Sequence, residues 1–279
     1  MSIKESIKKI LPEPVWKLAS DRYWAWYNRD RHLLARIFSP EWMRNKGQLE
    51  TWRNKFEGQR CFIIGNGPSL KQTDLSKLEG EFTFGMNRIY LAFDQYGFMT
   101  SCLVSVNDLV LEQCHEDMRA LDLPKFVTWR SRKYFQASPD TMFLDTDYTL
   151  PEDFNGDATG RLFEGFTVTY VCLQLAYYMG FKEAILIGVD HNFVTKGPAN
   201  TTVTSQGEDP NHFAANYFGK GFRWQLPDLE GSERAYHMAK QAYQVDGRRI
   251  LDATFGGKLT IFPKVDYDKL FKGGKSLDE

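Results

Sequence analysis

The sequence lacks several features that would define its class at once. No run of about 18 apolar residues occurs, so no transmembrane helix is predicted. The N-terminus has no apolar segment typical of a secretory signal peptide. The four cysteines are scattered without a Cys-x-x-Cys pair, which argues against a disulfide framework or a zinc site. These absences favour a reducing cytoplasm, with the inner face of the membrane as a variant of that prediction.

Charge is unevenly distributed although the net charge of the chain is only −1. Residues 1–55 carry twelve Lys or Arg and six Asp or Glu, a local charge of +6, so the remainder carries −1 − 6 = −7. A mildly acidic body argues against a broad nucleic-acid surface. The length of 279 residues fits one α/β domain with an appendage. We therefore predict a helical extension over 1–55 and a transferase domain over 56–279.

The extension is basic and rich in tryptophan. It contains five of the seven tryptophans, and prolines at positions 12, 14 and 40 divide it into two or three predicted helices. A helical segment that packs on its own body or on a second subunit is the favoured interpretation. An interfacial anchor that lies on a bilayer surface is the alternative.

Short apolar runs then alternate with helix-compatible segments. This alternation predicts a Rossmann-like α/β fold, with a mostly parallel sheet, helices on both faces and a loop lid. The predicted strands are 60–64, 82–86, 101–106, 125–129, 183–190 and 249–253. Helices are predicted over 167–179 and 232–243, and the segment 108–121 is compatible with a helix. Gly180 is expected to cap the first of these helices at its C-terminus, and Ser232 to cap the other at its N-terminus. A polar loop is predicted over 194–211.

The strongest local motif is Gly65-Asn66-Gly67-Pro68-Ser69, directly after the first strand. Two glycines one residue apart allow a tight turn and close approach of a ligand at the strand end. The motif is neither a P-loop, because Gly-Lys-Ser/Thr is absent, nor a complete dinucleotide fingerprint. A nucleotide site and an ordinary strand-to-helix turn remain equal alternatives on spacing alone.

Polar residues follow other strands at equivalent points. Asn87 follows the second strand, Asn107 and Asp108 follow the third, and Asp190 ends the fifth. Because these strand ends share one edge of a parallel sheet, their side chains could contact ribose and base edges. The alternative is that each residue only terminates its strand through a turn.

His212 lies after the long polar loop. A histidine above a strand-end site can act as a general base near neutral pH, although most loop histidines are structural or merely exposed. Tyr217, Lys220 and Arg223 follow closely, and the two cations could hold phosphate oxygens.

Three segments resemble a known superfamily. Residues 61–70 (CFIIGNGPSL), 87–90 (NRIY) and 167–190 are similar to family 42 sialyltransferases. They are equally similar to the domain shared by archaeal hydroxymethylpterin diphosphokinases and motility-associated-factor flagellin glycosyltransferases. The resemblance spans about residues 58–262 and leaves the first 55 outside.

The sialyltransferase resemblance implies a CMP-linked nonulosonic acid as donor and no requirement for a metal. It assigns Asn66, Asn87 and Asn107 to the nucleotide and His212 to the role of general base. The chain departs from that pattern at Gly165 and Val168, where the sialyltransferases carry Arg and Ser, and the lid tyrosines that hold the leaving phosphate have only Tyr217 as a candidate.

We predict a sialyltransferase-like glycosyltransferase that acts in the assembly of surface glycans or glycoproteins. Its partners are a nucleotide-sugar donor and a glycan acceptor, with peripheral membrane contact through 1–55 and self-association as further expectations. An ATP- and Mg²⁺-dependent diphosphokinase acting on a hydroxymethylpterin-like alcohol is the first alternative, with Asp108 and Asp190 as magnesium ligands. A non-catalytic nucleotide-binding scaffold is the second. The predicted donor site comprises Gly65, Asn66, Gly67, Pro68, Ser69, Asn87, Asn107, Asp108, Thr167, Asp190, Tyr217, Lys220 and Arg223, with His212 catalytic and no metal site.

Overall fold

The computed structural model describes residues 32–148, 153–195 and 197–271. Eight strands form one sheet in the order β10-β7-β1-β2-β3-β4-β5-β6, and each neighbouring pair is parallel. A separate antiparallel pair, β8 and β9, lies in the segment predicted as a loop and beyond it. The strands are β1 (Arg60–Ile64), β2 (Phe82–Met86), β3 (Cys102–Ser105), β4 (Lys125–Thr128), β5 (Thr141–Asp147), β6 (Arg161–Phe163), β7 (Glu183–Ile187), β8 (Thr202–Thr204), β9 (Arg223–Gln225) and β10 (Arg249–Asp252).

Six α-helices accompany these strands within the described residues. They are α1 (Leu33–Phe38), α2 (Pro40–Glu50), α3 (Phe93–Tyr96), α4 (Asp108–Arg119), α5 (Val168–Tyr178) and α6 (Leu229–Val245). Gly180 follows α5 at φ +90°, a left-handed conformation that glycine adopts without strain, so the predicted C-terminal cap is confirmed. The Rossmann-like α/β fold is confirmed as well.

The direction of strand addition reverses beside β1. From β1 the chain adds strands outward through β2 to β6, and it then returns to place β7 and β10 on the other side of β1. In open parallel sheets, the crevice at such a reversal is the usual ligand position. The predicted glycine turn follows β1, so it lies at this reversal.

Both faces of the sheet are buried. Along β1, Cys61 and Ile63 belong to the core beneath α5 and α6, whereas Phe62 and Ile64 belong to the core beneath α4 and the C-terminal segment. All four residues have no exposed surface. This two-sided burial explains why the parallel strands are continuous apolar runs in the sequence.

Helix α2 lies inside the predicted extension but packs on the sheet. Its residues Trp42, Asn45 and Leu49 are buried, and the Trp42 ring meets Trp129 edge-on at 4.5 Å. The Asn45 side chain donates to the Phe143 carbonyl at 2.7 Å and accepts from the Phe143 amide at 2.6 Å. Residues 1–31 of the extension lie outside the described residues, and the division at 55 stays a prediction.

Two details of the fold differ from the sequence expectations. Strands β5 and β6 were not predicted. In β5, the charged residues Asp145 and Asp147 interrupt the apolar pattern. Both carboxylates are buried, and each pairs with Arg161 of β6. Helix α6 begins at Leu229 instead of Ser232. The Asp228 carboxylate accepts from the Gly231 amide at 2.7 Å and is the N-cap.

Candidate functional site

A cleft with two lobes opens at the carboxyl ends of the strands. The first lobe, of about 190 Å³, lies over β1, β2 and β7; the second, of about 610 Å³, lies over β3 to β6. The two lobes share Phe166, Thr167 and Val168 at the start of α5, and Pro227 and Asp228 at the start of α6. The amino ends of two helices therefore converge where the lobes meet. The end of α6 is already capped by the Asp228 carboxylate, whereas α5 has the neutral cap Thr167, so it is the start of α5 that favours an added negative charge.

The glycine turn is closed by a carboxylate of its own chain. Asp190, after β7, accepts from the Ser69 amide at 3.1 Å and from the Ser69 hydroxyl at 2.6 Å. A Cβ on Gly67 would lie 2.5 Å from the Asp190 carboxyl carbon. Burial raises the pKa of the Asp190 carboxyl, and the bonds from Ser69 oppose that shift. Position 67 therefore requires glycine, because a side chain there would overlap the Asp190 carboxylate. The Ser69 amide and hydroxyl are already bonded to that carboxylate.

The three predicted asparagines have different surroundings. Asn66 lines the first lobe and donates to the Met86 carbonyl at 3.0 Å, while its buried Oδ1 has no partner. Asn87 lines the same lobe at φ +50° and accepts from the Ser105 hydroxyl at 2.9 Å. Asn107 caps α4 and lines the second lobe. The structure brings Asn66 and Asn87 together in the first lobe and places Asn107 in the second.

His212 lies in the first lobe and is fixed by an acid that the sequence did not single out. Its Nδ1 is 2.7 Å from Asp209 Oδ2, and the Asp209 side chain is only 3% exposed. The imidazole stacks on the Tyr217 ring at 4.0 Å and 6°. Because Nδ1 is bonded to the carboxylate, Nε2 is the nitrogen left for a ligand in the lobe that His212 lines. The Phe213 amide donates to the Asn66 carbonyl at 2.9 Å, so the histidine loop docks on the glycine turn.

A second imidazole lines the same lobe. His191 Nε2 is 2.8 Å from Glu233 Oε1 on α6, and its backbone has φ +52°. His191 was not among the predicted site residues. A histidine directly after a strand-end acid was the available signal, but its partner lies 42 positions away in the chain.

The second lobe is built around Arg130. Its guanidinium donates to Glu164 at 2.7 Å and to Asp108 at 3.2 Å, and it stacks on the exposed Tyr148 ring. Burial raises the pKa of the Glu164 carboxyl, and Arg130 opposes the shift. Asp108, a predicted donor-site residue, is thus engaged in an ion pair at this lobe.

The remaining predicted residues divide into two groups. Thr167 lines both lobes and caps α5, and Tyr217 lines the first lobe, where burial raises the pKa of its phenol. The Tyr217 hydroxyl accepts from the Arg88 amide, so the ring supports His212. Lys220 is exposed and lies outside both lobes. Arg223, on β9, pairs with Glu112 of α4 at 2.9 Å. Pro68 begins a short 3₁₀ helix behind the turn.

No close group of three acidic, histidine or cysteine side chains suited to a metal ion occurs within 32–148, 153–195 and 197–271. The triplet Asp145-Thr146-Asp147 has the Asp-x-Asp spacing of a metal motif found in some glycosyltransferases. Its carboxylates instead pair with Arg36 and Arg161 in the interior of β5. The four cysteines are free and buried. Within those same residues, no helix has the length and hydropathy needed to cross a membrane.

The parallel sheet and its cleft at the reversal beside β1 define a Rossmann-like α/β protein. Residues 40–196, more than half of the chain, match the family described as 6-hydroxymethylpterin diphosphokinase MptE-like. The chain belongs to this MptE-like family, which confirms the superfamily indicated by the sequence. The match begins at the first residue of α2.

Two solved structures are similar at low identity. The MAf glycosyltransferase from Magnetospirillum magneticum AMB-1 is 16% identical, with a TM-score of 0.47, over 92% of this chain and 43% of that one. This chain therefore spans less than half of that enzyme. A mammalian sialyltransferase in complex with Gal-beta-1-3GalNAc-ortho-nitrophenol is 9% identical, with a TM-score of 0.34, over 77% of this chain and 79% of that one. No curated protein sequence matches the chain.

Proposed function

We propose that the chain is a glycosyltransferase that uses a nucleotide-activated sugar, with a CMP-linked nonulosonic acid as the expected donor. The single observation that carries this proposal is the pair formed by His212 and Asp209 in the first lobe. A buried carboxylate on Nδ1 fixes the orientation and tautomer of the ring, and Nε2 is left to accept a proton.

The proposed step moves one proton and exchanges two bonds. The acceptor hydroxyl loses its proton to His212 Nε2, and its oxygen forms a bond to the anomeric carbon of the donor. The bond from that carbon to the phosphate oxygen breaks, and the electron pair leaves with the nucleotide. Attack opposite the leaving group inverts the anomeric centre.

The first lobe offers suitable groups for a nucleotide. Asn66 and Asn87 line this lobe, and side-chain amides of this kind can donate to and accept from ribose and base edges. The start of α5, which the neutral Thr167 caps, also lines this lobe and favours a phosphate. Two cleft carboxylates already accept hydrogen bonds from the protein. Ser69 donates to Asp190, and Arg130 donates to Asp108. This arrangement supports a reaction in which they hold no metal.

Calorimetric titration with CMP and CTP, with and without EDTA, tests the proposal. We expect binding that EDTA leaves unchanged, and release of CMP from a CMP-nonulosonate in the presence of a glycan acceptor. The variant His212→Ala should abolish turnover and retain nucleotide binding. Unchanged turnover combined with loss of a protein partner would instead support the scaffold interpretation.

The family match favours one second candidate, diphosphoryl transfer from ATP to a hydroxymethylpterin-like alcohol. This reaction would require Mg²⁺, which Asp108 and Asp190 are predicted to hold and which would neutralise the charge of the transferred diphosphoryl group. Magnesium-dependent ATP binding followed by AMP release would replace the glycosyltransferase proposal with this one.

We also propose that α1 contacts an anionic membrane surface. Leu34, Ile37 and Phe38 share one face of this helix and are 72%, 54% and 72% exposed, whereas Ala35 and Arg36 turn to the body. Exposed large apolar groups this close together mark an interaction site. The +6 charge of residues 1–55 complements anionic lipid.

Vesicle sedimentation tests this contact. The full chain should bind vesicles containing phosphatidylglycerol and bind neutral phosphatidylcholine vesicles weakly. The double variant Leu34→Asp, Phe38→Asp should lose most binding, whereas Val245→Asp, an equally exposed apolar site far along the chain, should retain it. Equal sedimentation of all three proteins contradicts the contact, and a dimer that the double variant dissociates identifies a second copy as the partner.

A further inference from the structure

His191 is held in the cleft by a contact that the proposed reaction has not used. Its Nε2 pairs with Glu233 at 2.8 Å, and its ring lies 6.3 Å from that of Tyr236. The side chain lines the first lobe, and among the described residues the ring makes its hydrogen bond through Nε2 and leaves Nδ1 for a ligand. The left-handed backbone at φ +52° is uncommon for a residue other than glycine. Such strain often accompanies a side chain that must point in one direction.

The two imidazoles of the first lobe are arranged in opposite senses. His212 gives Nδ1 to Asp209 and presents Nε2, whereas His191 gives Nε2 to Glu233 and presents Nδ1. An imidazole that keeps a proton on its carboxylate-bonded nitrogen presents a base at the other when neutral and a donor when protonated. One lobe can therefore offer both a proton acceptor and a cationic donor.

A phosphate in the first lobe needs a positively charged partner, and few side chains that line the lobe can carry positive charge. Of the described residues that line this lobe, none is lysine or arginine. The two cations predicted for this role, Lys220 and Arg223, lie outside it. His212 is assigned to the acceptor proton. His191 is then the remaining lining side chain that can carry positive charge.

We propose that protonated His191 binds the phosphate of the nucleotide and stabilises it as a leaving group, with Glu233 as its positioning residue. This inference rests on the proposed function. Nε2–H donates to Glu233, and Nδ1–H donates to a phosphate oxygen. As the bond from the anomeric carbon to the phosphate breaks, the electron pair moves to that phosphate and the charged hydrogen bond strengthens.

Calorimetry with nucleoside monophosphates and their nucleosides separates phosphate binding from base binding. CMP, AMP, cytidine and adenosine are the probes, and wild type is compared with His191→Gln. We expect His191→Gln to weaken the tighter monophosphate about tenfold or more and to leave its nucleoside unchanged. The control His237→Gln removes an exposed histidine from α6 and should bind as wild type. Glu233→Gln keeps the imidazole and should give a smaller, phosphate-specific loss.

The outcomes distinguish this inference from the proposed function. Equal losses for monophosphate and nucleoside, or no loss for either, overturn the role of His191 even if sugar transfer is observed. A phosphate-specific loss together with magnesium-dependent AMP release retains His191 and overturns the glycosyltransferase. A wild-type chain that binds none of the four probes overturns both. If His191→Gln fails to fold, Glu233→Gln decides, because the Glu233 side chain is half exposed.

Discussion

The contact between Gly67 and Asp190 gives the most direct prediction, because it is steric. In Gly67→Ala the new Cβ would lie 2.5 Å from the Asp190 carboxyl carbon and 2.8 Å from the Gly188 carbonyl oxygen. Both distances are well inside ordinary contact, so the Asp190 side chain must move. Movement breaks its two bonds to Ser69. Overpacking and the loss of those bonds should together cost roughly 2–5 kcal/mol.

Urea unfolding followed by tryptophan fluorescence measures this cost. The matched control is Gly47→Ala in α2, where an added Cβ meets nothing within 4 Å; it should stabilise the chain by about 0.5–1 kcal/mol. Asp190→Ala in the Gly67→Ala background should recover part of the loss, since it removes the clashing carboxylate. A Gly67→Ala chain within about 0.5 kcal/mol of wild type, or a strictly additive double variant, would refute the steric argument.

The remaining predictions concern the proposed base His212, the buried Asn45 in α2 and the dependence of stability on pH. Asp209→Asn should lower kcat by about 10²–10⁴ with little effect on nucleotide affinity, because the ring loses its fixed tautomer; steady-state kinetics and calorimetry check this, and an unchanged kcat contradicts it. Asn45→Ala should cost about 2–3 kcal/mol in urea unfolding, since it leaves the Phe143 amide and carbonyl unpaired in the interior; a loss below about 0.5 kcal/mol contradicts it. The raised pKa of Asp190 means that the unfolded chain binds fewer protons there, so its contribution to stability is present at low pH and is lost as pH rises through the raised value. Asp190→Asn should therefore gain stability relative to wild type as the pH rises above 3.8, the ordinary value of the carboxyl, and a difference that does not change with pH contradicts the shift.

Much of the fold follows from local pattern. All six predicted strands form, because each is an apolar run that parallel pairing buries on both faces. Strand β5 escaped prediction because Asp145 and Asp147 read as surface residues. Their burial depends on Arg161 and, for Asp145, Arg36, and such distant ion pairs leave no periodic signal in the chain.

The candidate site was predictable in part. Strand ends in a parallel sheet share one edge, so Asn66, Asn87 and Asp190 could be expected together in the first lobe. Their partners could not be expected, since Ser69 turns to Asp190 and Ser105 turns to Asn87 through tertiary contacts.

Asp209 and Glu233, the carboxylate partners of the two histidines, differ in how far the sequence could predict them. Asp209 lies three residues before His212, and that short spacing was a usable signal. Glu233 reaches His191 only because α6 lies against the end of β7, which depends on the whole sheet order. Lys220 and Arg223 are close to His212 in sequence, yet the antiparallel pair β8 and β9 leads them away from the cleft.

The carboxylate of Asp190 also constrains how this chain can diverge. It occupies the hydrogen-bond donors that a Gly-rich turn otherwise presents to a ligand phosphate. Positions 67 and 190 therefore form one steric unit across two strands. A relative with a larger residue at 67 must carry a smaller one at 190, and such an exchange would free the Ser69 amide for an anion. Substitution of both positions together would thus change the turn: its donors would no longer bind the Asp190 carboxylate and would be free to bind an anionic ligand.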